Sequence, residues 1–101
     1  MIIPEELVND RYWYSLMLIF HGSKKLRSYW TNEYIDFKHR TIEVDRLKAI
    51  SKTWSKSEKF MLRLALHLFN GRDKVDLGNM DYLDEHNTAL ALKALNFRYG
   101  R

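Results

Sequence analysis

Cysteine is absent from this chain of 101 residues, and proline occurs once, at Pro4. Without cysteine there is no disulfide scaffold, no iron–sulfur cluster and no thiolate zinc site. The lack also fits a reducing compartment. Nothing after Pro4 punctuates the chain as a linker would, so residues 1–101 are expected to form one domain. The four glycines are isolated, which leaves no glycine-rich loop to cradle a phosphate. Long apolar runs are missing too: the longest is residues 16–20, against the roughly 20 residues a membrane-spanning helix needs. Residues 1–6 lack a basic region followed by an apolar one, so they do not read as a secretory signal. The expectation is a soluble, cytoplasmic protein that does not use a membrane.

What is present is a core and an excess of positive charge. Hydrophobic residues make up 46% and aromatic residues 14% of the chain, enough burial to argue against disorder. Lys and Arg outnumber Asp and Glu by 17 to 13, for a formal net charge of +4. That balance favours acidic partners: nucleic acid, an acidic protein surface or anionic lipid.

The clearest element is residues 55–69. Ser55 and Glu58 have capping-box spacing. Phe60, Met61, Leu64, Ala65 and Leu68 share one helical face. Asn70-Gly71 supplies a stop, because both residues tolerate left-handed backbone. Apolar residues run around most of this helix, which marks it as the central core helix. An earlier helix is expected over 10–21, capped by Asn9 or Asp10, with Trp13, Leu16, Met17 and Phe20 buried and Gly22 ending it. A short turn over 23–30 follows, with Ser23 as cap and Leu26, Tyr29 and Trp30 inward.

Between residues 33 and 44 the period changes. Ile35 and Phe37 alternate with Asp36 and Lys38, and Ile42 and Val44 flank Glu43, which predicts a small hairpin turning over 38–41. Asp45 then caps a helix over 46–53, with Leu47 and Ile50 inward. Residues 72–83 read as a loop rich in Asp, Asn and Gly. Asp84 caps a last helix to about Phe97, with Asn87, Leu90, Ala91, Ala94 and Leu95 facing the core. The expected fold class is α+β, mainly α: a compact domain of about four helices with a small β-hairpin.

Several features carry a likeness. Phe20, His21 and Gly22 break the first helix, and Tyr34, Ile35, Asp36 and Phe37 form an extended segment. An Ile-Glu-x-x-x-Leu step spans Ile42 to Leu47, and Leu68, Phe69 and Asn70 end the central helix. Leu83-Asp84-Glu85-His86-Asn87 precedes Ala89-Leu90-Ala91-Leu92 and Phe97-Arg98-Tyr99. In this order, over about three quarters of the chain, the sequence resembles a small uncharacterised family of Firmicute and prophage proteins. The resemblance implies a setting, that of small accessory proteins of phages and mobile elements, and no activity.

Candidate chemistry is sparse. His21, His39, His67 and His86 are never three or four apart, so no helical metal pair forms. The loop from Asp73 fails as a calcium site, because Val75 and Leu77 occupy the third and fifth positions. No serine sits in a nucleophile elbow. The chain is therefore expected to be no enzyme and to hold no cofactor or metal. The basic residues are the best functional signal. Were the helix from Arg46 to continue through Trp54, Lys52, Lys56, Lys59 and Arg63 would form one cationic stripe able to track phosphates or an acidic surface. The plain alternative is a solvated polar face. A second group, Lys24, Lys25, Arg27, Tyr29, Trp30 and Tyr34, mixes cations with rings in the manner of an interface. Its plain alternative is that Tyr29 and Trp30 are core. Some rings, among Tyr12, Tyr14, Tyr34 and Tyr99, are expected to be exposed. A helix-turn-helix over 46–69 is disfavoured, because its second helix is too apolar to read bases. The functional expectation is a small protein-binding accessory or inhibitor-like protein, possessing a protein partner. The alternative is a nucleic-acid binder using the basic helix face.

Overall fold

The computed structural model describes residues 2–100. Five α-helices carry the fold: α1 (Glu5–Val8), α2 (Arg11–Gly22), α3 (Val44–Ile50), α4 (Lys56–Asn70) and α5 (Glu85–Tyr99). Strands β1 (Ile35–Asp36) and β2 (Thr41–Ile42) form an antiparallel hairpin in which Ile35 faces Ile42 and Asp36 faces Thr41. The fold is thus α+β and mainly α. α2 packs on both α4 and α5, and α4 also touches α5.

α4 follows its local signals closely. Ser55 Oγ accepts from the Glu58 N–H at 3.2 Å, and Glu58 Oε1 accepts from the Ser55 N–H at 3.0 Å. Gly71 ends the helix in left-handed backbone, φ 74°, a conformation that costs glycine little. Seven α4 side chains are buried: Phe60, Met61, Leu62, Leu64, Ala65, Leu66 and Leu68. They cover most of the helix girth, so α4 is the central element of the core.

Asp10 caps α2, accepting from the Tyr12 and Trp13 N–H groups at 2.9 and 3.2 Å. Trp13, Leu16 and Phe20 are buried as their spacing requires, but Ile19 and Ser15 join them and Met17 is only half-buried. The difference follows from packing: α2 lies against two helices, so its buried face is wider and turned from a single stripe. Trp13 stands edge-on to Phe69, with centroids 4.8 Å apart, and 5.4 Å from Phe37. That ring cluster ties the hairpin to the helices, as a lone two-stranded hairpin requires.

Ser15 Oγ is buried without a hydrogen-bond partner among the described residues. An unpaired buried hydroxyl costs free energy that a methyl group does not. Ser15→Ala should therefore raise the unfolding free energy by up to about 1 kcal/mol. Urea unfolding of the two proteins checks the sign, and a clear loss of stability would show that the hydroxyl does have a partner.

The middle of the chain departs from its local reading in three places. The strand period ends at Ile42, because Val44 already begins α3; the link of the hairpin is residues 37–40, with Arg40 in left-handed backbone at φ 57°. Asp45 lies inside the first turn of α3 instead of capping it, and Glu43 occupies the N-cap. The helix expected over 46–53 stops at Ile50, becomes a 3-10 turn over Ser51–Thr53, and gives way to extended backbone at Trp54. Trp54 is 8% exposed; burying this ring and capping α4 with Ser55 together outweigh continuing the helix.

The expected loop over 72–83 contains a 3-10 turn, Leu77–Tyr82, capped by Asp76, whose Oδ1 accepts from the Gly78 N–H at 2.9 Å. Asp84 caps α5, accepting from the Asn87 N–H at 2.8 Å. Of the expected α5 face, Ala91 and Ala94 are fully buried, while Asn87, Leu90 and Leu95 are half-buried. Small residues suit this seam: α5 passes so close to Gly22 that a Cβ there would stand 2.6 Å from Leu90 Cδ1. Polar ties also hold α5 down: His86 Nε2 donates to the Gly22 carbonyl at 2.8 Å, and Arg98 Nε to that of Leu68 at 3.2 Å.

Among the described residues no helix is long and apolar enough to cross a membrane.

Candidate functional site

The geometry gathers part of the basic stripe into a cleft. On α4, Lys56, Lys59, Phe60 and Arg63 recur at helical spacing and form one wall and the floor. Opposite stand Lys74, Val75, Asp76, Asn79 and Tyr82, from the segment after α4 and its 3-10 turn. The cavity between them measures about 500 Å3. Four cationic side chains thus face it, against one carboxylate. That carboxylate, Asp76, is already engaged as the cap of the turn.

The far wall is held in place by specific ties. Gly71 reverses the chain at the end of α4. The buried Asp73 carboxylate pairs with Lys48 on α3. The Asp73 carbonyl accepts from His67 Nδ1 on α4 at 2.7 Å. With Nδ1 so committed as a donor, neutral His67 presents Nε2 as an acceptor to the Tyr99 hydroxyl, 3.3 Å away. Lys74 Nζ donates to the Gly71 carbonyl at 3.0 Å. Asp73 and Asp76 therefore act as ion-pair and capping groups.

Within the cleft, Lys56 Nζ lies 4.6 Å from the centroid of the Tyr82 ring and 3.4 Å from its hydroxyl. Lys59 and Arg63 make no ion pair or side-chain hydrogen bond with other described residues, and both are exposed. Phe60 is 4% exposed and belongs to the core, whereas Tyr82 is 52% exposed at the rim. Lys52, the first member of the expected stripe, does not line the cleft. It sits on the Ser51–Thr53 turn, and the extended backbone at Trp54 breaks the line that a continuous helix would have drawn.

The second group is divided by the fold. Trp30 and Tyr34 are buried, at 5% and 9% exposure, and Tyr29 is half-buried between Tyr34 and Trp54, at centroid distances of 5.4 and 5.2 Å. These rings have little surface to offer a partner, and the expectation that Tyr34 is exposed does not hold. Burial also raises the Tyr34 phenol pKa, with the Glu33 charge adding to it. Arg27 Nε donates to the His21 carbonyl at 3.1 Å, and Lys25 Nζ stands 5.2 Å from the Trp54 ring. Lys24 and Lys25 line a separate hollow of about 380 Å3 with two carboxylates, Glu58 and Asp84. Its charges balance, so it has little preference for an anion. Tyr12 and Tyr99 are exposed as expected, with the Arg98 guanidinium carbon 4.0 Å and 4.6 Å from their ring centroids.

The histidines are dispersed. His21 packs edge-on to Trp30, His39 pairs with Asp36, His67 serves the Asp73 carbonyl, and His86 serves Gly22. Burial lowers the His21 pKa, reinforced by the nearby Arg27 charge. The hydrogen bond from His39 lowers that of Asp36.

Lys74, Asn79 and Tyr82 were not legible as site residues. No periodic pattern marks their segment, and only the Asp76-x-Gly78 turn signal points to a structured wall there. Compared with protein-family models, with curated proteins and with solved structures, the chain matches none.

Proposed function

We propose that this protein is a non-enzymatic binding domain, that the cleft between α4 and the Leu77–Tyr82 turn is its working surface, and that its partner is an acidic segment of another protein. One observation carries the reading: Lys56, Lys59, Arg63 and Lys74 converge on one cavity whose only carboxylate among the described residues is occupied as a cap. Arg and Lys donors held around a concavity suit carboxylate recognition. A nucleic-acid duplex fits less well. Tracking its phosphate rails calls for an extended basic surface, and the break at 51–54 shortens the stripe to the α4 residues. The resemblance to Firmicute and prophage proteins supports the setting, an accessory or inhibitor-like protein of phage or mobile-element origin acting in the cytoplasm.

Affinity capture from nuclease-treated lysate tests the reading, with wild type beside the Lys59→Glu/Arg63→Glu variant. The expected result is a discrete protein partner that survives nuclease and is lost with the charge reversal. Recovery that disappears with nuclease would transfer the cleft to nucleic acid.

A further inference from the structure

A second basic hollow lies where the C-terminal end of α4 meets the hairpin. Arg40 and Arg72 line it with Thr41 and Asn70, and among the described residues no carboxylate does. The carboxylate next in sequence, Asp73, is buried and paired with Lys48. Arg40 comes from the hairpin link and Arg72 from the chain reversal after α4. Trp13 stands against both Phe37 and Phe69, so these two parts of the fold are held in fixed relation. The hollow shares no lining residue with the cleft.

Neither arginine is accounted for by the fold. A left-handed position in a hairpin turn ordinarily goes to Gly or Asn, which adopt it at least cost. Arg40 holds it at φ 57°, and no other non-glycine residue among those described has positive φ. Strain of this kind persists at sites where the side chain is needed. The Arg40 contact with Glu6 is 3.7 Å long, with the side chains 46% and 65% exposed. It is beyond hydrogen-bond reach and adds little stability. A cation just after a helix can serve the last carbonyls. Here those of His67, Leu68 and Gly71 are already taken, by the Gly71 N–H, Arg98 and Lys74. The Arg72 side chain is exposed and makes no ion pair or hydrogen bond with other described residues. Its backbone N–H donates to Asn70 Oδ1 at 3.0 Å, which leaves the Asn70 amide nitrogen free to donate. We propose that this hollow binds the phosphate group of a small molecule, with the Arg40 and Arg72 guanidiniums as charged donors and the Asn70 amide as a neutral one. Two forked guanidiniums suit a dianion with three terminal oxygens, whereas one arginine already satisfies a carboxylate.

The test is an NMR titration of the full chain with phenyl phosphate, inorganic phosphate and benzoate. A phosphate- and sulfate-free buffer at about pH 8 keeps the phosphates dianionic, since their second pKa is about 6. Phenyl phosphate should shift the amides of residues 40–44 and 69–72. It should bind at least about tenfold more tightly than benzoate, which has the same ring and one carboxylate. Arg40→Gly should weaken binding at least about tenfold while the melting temperature holds or rises, because glycine relieves the turn. Arg72→Gln should weaken it as much, and Lys93→Glu, a reversal on exposed α5 surface, should leave it within about twofold. Inorganic phosphate bound as tightly as the ester supports the free ion as ligand; tighter binding of phenyl phosphate supports an ester. Failure of both phosphates to bind, equal affinity for benzoate, or shifts confined to residues 56–63 and 74–82 would each overturn the proposal. So would undiminished binding in Arg40→Gly and Arg72→Gln. None of these outcomes bears on the acidic partner of the cleft.

Discussion

Leu64→Ala should lower the free energy of unfolding by about 2–5 kcal/mol. Leu64 is 0% exposed at the middle of α4, with buried neighbours on both sides of the helix. Truncation removes the transfer free energy of the lost atoms and leaves a void that a well-packed core closes only in part. Helix propensity barely contributes, because Leu and Ala are both good helix formers. The midpoint of urea unfolding should fall with an unchanged slope. A change within about 0.5 kcal/mol, the range of surface substitutions, would remove α4 from the centre of the core.

The second large effect is on binding. Reversing Lys56, Lys59 and Arg63 together to Glu should weaken acidic-peptide binding by at least about a hundredfold, because each reversal replaces an attraction with a repulsion. Stability should move little, since all three side chains are exposed. The contact between Lys56 and Tyr82 is lost, but an exposed cation–π pair is worth only about 0.5–1 kcal/mol. Titration of the variant alongside a melting curve separates the two quantities. Undiminished affinity in a folded variant would place the binding surface elsewhere on the molecule.

Acid should loosen the same helix at its N-terminus. The Ser55 N–H bond holds the Glu58 carboxyl below its ordinary pKa, with the Ser55 hydroxyl and the Lys25 charge adding to the effect. A carboxylate whose pKa is depressed by folding stabilises the folded state above its unfolded pKa, about 4.3, and loses that contribution as pH falls through the folded value. Because Glu58 is partly solvated, the contribution is a few tenths of a kcal/mol, about the scale of an exposed pair. The loss of stability between pH 6 and pH 3 should be smaller in Glu58→Gln than in wild type; an identical loss would mean that the bond adds nothing.

The elements legible in the sequence are those that carry both ends of their own description. α4 has Ser55, Glu58 and Gly71; α2 and α5 have Asp10 and Asp84; each encloses an apolar repeat. Residues 43–54 and 72–83 lack such repeats, and there the outcome depends on distant partners. Burial of Trp54 breaks what local propensity would continue, and Lys48 and His67 fix Asp73 from two other helices. The candidate site divides the same way. Lys56, Lys59 and Arg63 share a face by periodicity alone. The wall opposite them is made by a chain reversal and by ties across the fold, none of which leaves a periodic trace. The rings at 29, 30 and 34 illustrate the converse: cations adjacent in sequence suggested a surface, while packing drew the rings inside.

Gly71 has a consequence beyond ending a helix. By turning the chain back it creates the wall that faces α4, and the Leu77–Tyr82 part of that wall buries no residue of its own. A segment with so little buried surface opens at low free-energy cost. Occupying the cleft and ordering this segment are therefore linked equilibria: a ligand that bridges the two walls should slow amide exchange through residues 74–82. Reciprocally, a substitution that loosens Asp73 or the Gly71 reversal should weaken binding without touching the ligand.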